Sequence, residues 1–225
     1  STVADRYLYL PLFSAALALT WSLTSQRGKL FPWMAGCLLF LFALISTRQI
    51  GVWRDDTALF THLVSVNRNS LMGHNNLGTL LEKEDRLEEA AFHYSEALRL
   101  EPKSLPAMYN LGRVRGRLQR YEEAVYYLEK LLKIEPGIIE AHYTLGIVYR
   151  EMGNLELSMI HLSYATQLDP KLIRAHYQLA LTFKAQKKWN AASHSLLRAL
   201  QADPKHAEAK NQLHEIWSKL KEQER

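Results

Sequence analysis

The chain is poor in the residues that build most small-molecule and redox sites. Its one cysteine, Cys37, excludes an intrachain disulfide and, lying within an apolar run, says nothing about redox compartment. No glycine-rich phosphate loop and no nucleophile elbow occur anywhere in the sequence. Nine histidines invite a metal reading. However, His74, His142 and His176 are 68 and 34 residues apart, and no pair has ligand-like spacing with a supporting carboxylate or cysteine. No metal or other cofactor is expected. The formal net charge of +5 is modest and no module interleaves basic and aromatic residues, so nucleic acid is not an expected partner. Paired carboxylates are also scarce. Asp55-Asp56 resembles an acid–base pair, but a helix cap at Asp55 and an acid at the positive helix end at Asp56 account for both.

Charge is missing altogether from residues 7–26 and 30–47. A hydrocarbon core of about 30 Å needs about 20 residues at about 1.5 Å each, so the two runs predict a transmembrane helical hairpin over residues 1–48. Tyr7, Tyr9, Phe31 and Trp33 stand where rings favour the membrane interface. A signal peptide ending near Ala16-Leu17-Ala18 is the competing reading of the first run, opposed by the second run and by the lack of a basic leader. Arg27 and Lys29 in the short link predict a cytoplasmic loop, placing the rest of the chain in the periplasm, a lumen or the exterior. Arg6 beside Asp5 is a candidate contact for a membrane-lipid phosphate, or an interfacial anchor with Tyr7. The chain opens with Ser1 in place of methionine, which points to a longer parent.

Beyond the apolar runs, Pro102, Pro136, Pro170 and Pro204 recur every 34 residues. The period divides residues 71–206 into units 71–104, 105–138, 139–172 and 173–206. Each has a small residue after a leucine, Gly78, Gly112, Gly146 and Ala180, then a second small site at Ala90, Ala124, Ser158 and Ala192. A third holds Ala97, Ala165 and Ala199, with Leu131 the exception. Apolar residues at helical spacing surround them, as at Leu77, Leu80 and Leu81. Small residues let two antiparallel helices approach closely, and proline ends the second. Gly153-Asn154 breaks the chain between the helices of the third unit.

Asn76-Leu77-Gly78, Asn110-Leu111-Gly112, the second-helix alanines and the spaced prolines resemble the tetratricopeptide repeat (TPR) family. Ala180, Ser158 and Leu131 depart from that pattern and predict looser or shifted packing. The expected fold class is therefore all-α: two transmembrane helices followed by a right-handed TPR solenoid. The solenoid comprises a linker and degenerate half repeat over 49–70, four repeats and a capping helix over 207–225. Leu213, Ile216, Trp217 and Leu220 form the stripe of the cap, and Arg68 stands where the half repeat would carry its proline.

In TPR proteins the first helices line a concave face, and the resemblance implies a groove at the matching positions. Tyr109, Tyr143 and Tyr177, with Asn75 in the first unit, recur at one of them; Asn76 and Asn110 occupy the next. Arg113, Arg117, Arg150, Arg174 and Lys184 would make that groove basic, suiting an acidic peptide, although a solvated charged face explains them as well. Gly116 lies among these arginines and hints at close approach by another backbone. One TPR subclass grips C-terminal carboxylates with Lys, Asn and Arg; at those places only Asn110 fits, so such a clamp is disfavoured.

Ala4-Asp5-Arg6-Tyr7-Leu8-Tyr9-Leu10-Pro11 and Trp53-Arg54-Asp55-Asp56-Thr57-Ala58-Leu59-Phe60, followed by TPR units, resemble the C-terminal part of TMTC-type proteins and their prokaryotic relatives. That family joins a lipid-linked-sugar, GT-C-like glycosyltransferase core to a lumenal TPR array. The resemblance implies an acceptor-recruiting region of a protein O-mannosyltransferase. Its catalytic loop has no counterpart here, so no catalytic residue is expected in this chain. A scaffold for envelope or secretion assembly, unconnected to sugar transfer, is the alternative.

Overall fold

The computed structural model describes residues 55–223 and, upstream, Phe40 and Leu41, which are helical. From Asp55 onward the described residues form ten helices. These are α1 Asp56–Val66, α2 Leu71–Lys83, α3 Leu87–Leu100, α4 Leu105–Arg117, α5 Tyr121–Ile134, α6 Ile139–Glu151, α7 Leu155–Leu168, α8 Ile173–Ala185, α9 Trp189–Ala202 and α10 Ala207–Gln223. Among the described residues no helix is long and apolar enough to cross a membrane. The longest, α10, has 17 residues and a largely charged surface, against about 20 apolar residues for a span. The expected fold class is corrected on this point: the fold described is a helical array without two transmembrane helices. The segment on which they were expected, 1–48, lies outside the described residues apart from Phe40 and Leu41.

The chain divides into two compact units, residues 1–80 and 81–225. In the first, Asp55 caps α1, its Oδ1 accepting from the Ala58 N–H at 2.7 Å. Ser70 Oγ accepts from the Gly73 N–H at 3.1 Å where α2 begins. The His74 ring meets the Arg68 carbonyl through Nε2 at 3.1 Å. His142 and His176 make the same contact with the carbonyls of Pro136 and Pro170, both at 3.0 Å. Arg68 thus fills the structural place of a repeat proline.

In the second unit the prolines end helices through the residue before them. Glu101, Glu135, Asp169 and Asp203 close α3, α5, α7 and α9 with φ between −131° and −135°. Proline Cδ disfavours helical geometry at that preceding position and pushes it to an extended one. A second stop recurs inside each repeat. Asp85, Gln119, Gly153 and Lys187 have φ of 61°, 60°, 80° and 58°. Around each, paired bonds of the Schellman type satisfy the last carbonyls, as when Arg120 N–H reaches Arg115 O at 2.9 Å and Gln119 N–H reaches Gly116 O at 3.1 Å. Sequence singles out the glycine; the turn is the same in all four.

Close helix pairing depends on the small residues. A Cβ on Gly112 would lie 2.7 Å from Leu128 Cγ, and one on Gly146 would collide with Leu162. Ala90, Ala97, Ala124, Ala165, Ala192 and Ala199 are fully buried. The departures do not loosen the array. Leu131 is fully buried beside Met108, Leu128, Ala141 and Leu145, a burial worth roughly 1.5–3 kcal/mol. Ser158 and Thr182, both fully buried, share a hydrogen bond of 3.0 Å, and Thr182 in turn donates to Gln178 O. Ala180 packs with Leu196 in the last core, which α10 closes with Ala209, Leu213 and Ile216. First helices of successive repeats adjoin, α4 with α6 and α6 with α8. They form the row that carries the candidate site.

Candidate peptide-binding groove

Residues four apart share one helix face, so Tyr109, Arg113 and Arg117 rise as a single column along α4. One repeat later Tyr143 takes the place of Tyr109 on α6, and Ile147 takes that of Arg113. The two columns flank a cleft of about 490 Å³. Tyr109, Arg113, Arg117, Tyr143, Thr144 and Arg174 line it, with Gly116, Ile147 and Val148 as further lining residues. A Cβ on Gly116 would sit 3.1 Å from Val148 Cγ2. Glycine at 116 is therefore explained by the packing of α4 on α6, not by a visiting backbone.

The cations of the site are paired. Arg113 meets Glu82 twice, Nη1 to Oε1 at 2.6 Å and Nη2 to Oε2 at 2.7 Å. Arg117 Nη2 donates to Asp85 Oδ1 at 2.6 Å and Nη1 to Glu82 Oε1 at 3.3 Å. Glu82 is 7% exposed and also accepts from Tyr94 Oη at 3.2 Å. Arg120 pairs with Glu88 at 2.8 Å and Arg115 with Glu123 at 3.1 Å. The arginine run has no acid within it because its acids come from α2, from the turn after it and from α3 and α5. Bidentate guanidinium–carboxylate pairing is among the stronger polar contacts, so the groove is close to charge balance.

Two tyrosine rings carry a guanidinium at their face. Arg113 Cζ is 5.6 Å from the Tyr109 centroid, and Arg174 Cζ is 4.7 Å from that of Tyr143. Arg174 pairs only loosely with Glu140, at 3.4 Å. Asn110 Oδ1 receives Arg113 Nη2 at 3.4 Å.

The remaining expected residues lie elsewhere. Arg150 is engaged by Gln178 and by Glu151 at 2.9 Å. Lys184 donates to Gln212 at 2.8 Å and to Glu215 at 2.7 Å. Tyr177 stacks on His206 with centroids 5.2 Å apart. Asn75 and Asn76 are half-buried on the part of α2 within the first unit, where the Asn75 carbonyl accepts from the Thr79 hydroxyl at 2.9 Å. Asp5 and Arg6 lie outside the described residues. Sequence reasoning missed Glu82 as the shared acceptor and Ile147 and Val148 as lining. The periodic signal was available, since Glu82 sits one repeat before Gly116.

Two proteins with related sequences are O-mannosyl-transferases by name. Protein O-mannosyl-transferase Tmtc3 of Drosophila melanogaster is 31% identical over 112 residues, covering 47% of this chain and 12% of that protein. Protein O-mannosyl-transferase TMTC1 of Homo sapiens is 28% identical over 117 residues, covering 47% of this chain and 13% of its own length. The chain thus matches about an eighth of these relatives. Among solved structures, YrrB, described as a TPR protein with an unusual peptide-binding site, superposes with a TM-score of 0.60 at 24% identity. That match covers 72% of this chain and 84% of the other. MamA of Desulfovibrio magneticus RS-1 gives a TM-score of 0.64 at 22% identity, covering 74% and 96%. Profiles for the tetratricopeptide repeat match residues 72–104, 106–138, 139–172 and 173–206. Through these four repeats the chain belongs to the tetratricopeptide repeat family.

Proposed function

We propose that the row of first helices binds an extended peptide segment of a partner protein, and that the array recruits acceptors for a protein O-mannosyl-transferase. The observation that carries this reading is the cleft bounded by Tyr109 and Tyr143, one repeat apart, with Ile147 lining it from the Tyr143 column. Ring faces offer contact area at low entropic cost, and Asn110 and Thr144 beside them suit peptide backbone groups. Because Glu82 and Asp85 already hold Arg113 and Arg117, recognition rests on rings and backbone more than on bulk acidity. An acidic ligand residue would compete with the exposed acceptors, Asp85 for Arg117 and Glu140 for Arg174. Tyr177, Arg150 and Lys184, at related repeat positions, are further proposed contacts. The similarity to the O-mannosyl-transferases supports the sugar-transfer context, and the TMTC resemblance supports a lumenal, periplasmic or extracellular site of action.

The test uses immobilised full-length chain against a panel of synthetic serine- and threonine-rich peptides. Tyr109→Ala with Tyr143→Ala is expected to weaken the best binder about tenfold or more, with helical circular dichroism unchanged. Equal binding by the double variant overturns the groove reading. Removal of the repeats from the parent protein is expected to lower mannosylation of its acceptors. Unchanged mannosylation removes the link to sugar transfer and favours the assembly scaffold.

A further inference from the structure

A second cleft, of about 650 Å³, lies between the second helices α5 and α7 and is separate from the groove of first helices. Leu132, Pro136, Gly137, Tyr164 and Leu168 line it, with Lys133 exposed at its edge. Two of these residues break the repeat. Where the other units carry Lys103, Lys171 and Lys205, this one has Gly137, and nothing lies within 4 Å of a Cβ built there. Where the others carry Glu96, Lys130 and Arg198, the third has Tyr164, 52% exposed.

The next junction shows what the regular residues do. There Pro170, Lys171 and Arg198 line a cleft of about 540 Å³ at the equivalent place. One repeat earlier, glycine and a tyrosine ring replace the lysine and the arginine, and Leu168 replaces Ala202. A charged notch has become an apolar one. Fold maintenance does not require the change, since the neighbouring repeat packs with the charged pair.

The polar groups in the wall of the cleft are hydrogen-bonded to one another. His142 Nε2 donates to Pro136 O at 3.0 Å, so its Nδ1 accepts from His161 Nδ1, also at 3.0 Å. The His161 ring stacks on Tyr149, whose hydroxyl donates to Glu129 at 2.7 Å. The His142 ring lies 5.3 Å from that of Tyr164. Glu129 also lines the cleft and keeps its charge while accepting from Tyr149, and Lys133, exposed at the edge, makes no ion pair among the described residues.

We propose that this cleft is a second recognition site, taking an aromatic side chain of a partner peptide whose neighbouring carboxylate meets Lys133. Apolar walls favour the ring, and a solvent-facing ammonium favours a following acid over an amide. The probe is the capped dipeptide acetyl-phenylalanyl-aspartyl-amide, titrated into full-length chain carrying labelled histidine. At millimolar concentration it is expected to shift the His142 and His161 ring resonances. Acetyl-phenylalanyl-asparaginyl-amide is expected to bind several-fold more weakly, and acetyl-alanyl-aspartyl-amide not measurably.

Gly137→Lys with Tyr164→Arg installs the residues of the next junction and is expected to abolish the shifts at unchanged helical circular dichroism. Tyr143→Ala, in the other groove, is expected to leave them intact, so failure of one site is distinguishable from failure of the other. Absence of shifts in the wild-type chain, or their persistence in the double variant, overturns the site. Equal binding of the aspartyl and asparaginyl probes overturns the role of Lys133.

Discussion

The Arg113 guanidinium holds the Glu82 carboxylate in a two-point contact, 2.6 and 2.7 Å, across 31 residues of sequence. Glu82 is nearly enclosed, while Arg113 keeps about a third of its side chain in solvent. The carboxylate therefore depends on its partners, Arg113, Arg117 and Tyr94, more than they depend on it. Arg113→Ala, which leaves the enclosed Glu82 carboxylate without its two-point partner, is expected to destabilise the chain by about 3 kcal/mol. Asp85→Ala, at an exposed acceptor, is expected to cost well under about 1 kcal/mol. Urea midpoints of the two variants decide whether burial or proximity sets the strength of these pairs.

Helix spacing gives a second prediction. Gly146→Ala places a methyl group against Leu162, and is expected to cost about 1–3 kcal/mol through overpacking. Leu162→Val in the same chain is expected to recover part of that loss. If Gly146→Ala alone is neutral in thermal unfolding, the pairing of α6 and α7 is looser than the geometry indicates.

The four left-handed turn residues are not equivalent. Lys187 holds φ of 58° and Gly153 holds 80°, and a side chain resists this region. Lys187→Gly is expected to stabilise by about 0.5–1 kcal/mol, and Gly153→Ala to destabilise by a similar amount. Opposite signs in paired denaturation curves are the signature of backbone strain.

Acid sensitivity follows from His161. Burial, and then the neighbouring His142, push its pKa down from 6.5 to about 4, against a smaller upward pull from Glu129. The unfolded chain therefore binds a proton more readily than the folded one between these values. Stability from this site is complete above about pH 6.5, is lost as pH falls towards 4, and changes little below that. His161→Gln is expected to flatten the pH dependence of the thermal midpoint in this window. A variant curve parallel to wild type assigns the acid loss to other groups.

Much of the array was legible from residue spacing. Prolines at one position predict helix stops because the preceding residue cannot stay helical, and the structure shows this at Glu101, Glu135, Asp169 and Asp203. Small residues predict close helix pairs, as at Gly112 against Leu128. The readings that failed depended on neighbours from another repeat. Leu131 reads as a packing fault only until Met108 and Leu145 are seen around it. The arginines of α4 read as a basic patch only until Glu82 and Asp85 are seen against them.

The sequence by itself determined the repeat, its helices and their stops, because each rests on local backbone sterics and on a period visible in one dimension. Tertiary structure decided the charge of the groove, the reason for Gly116 and the existence of the Gly137–Tyr164 cleft. Electrostatics and packing act over a few ångströms of space, and in a stacked array those ångströms join residues a whole repeat apart.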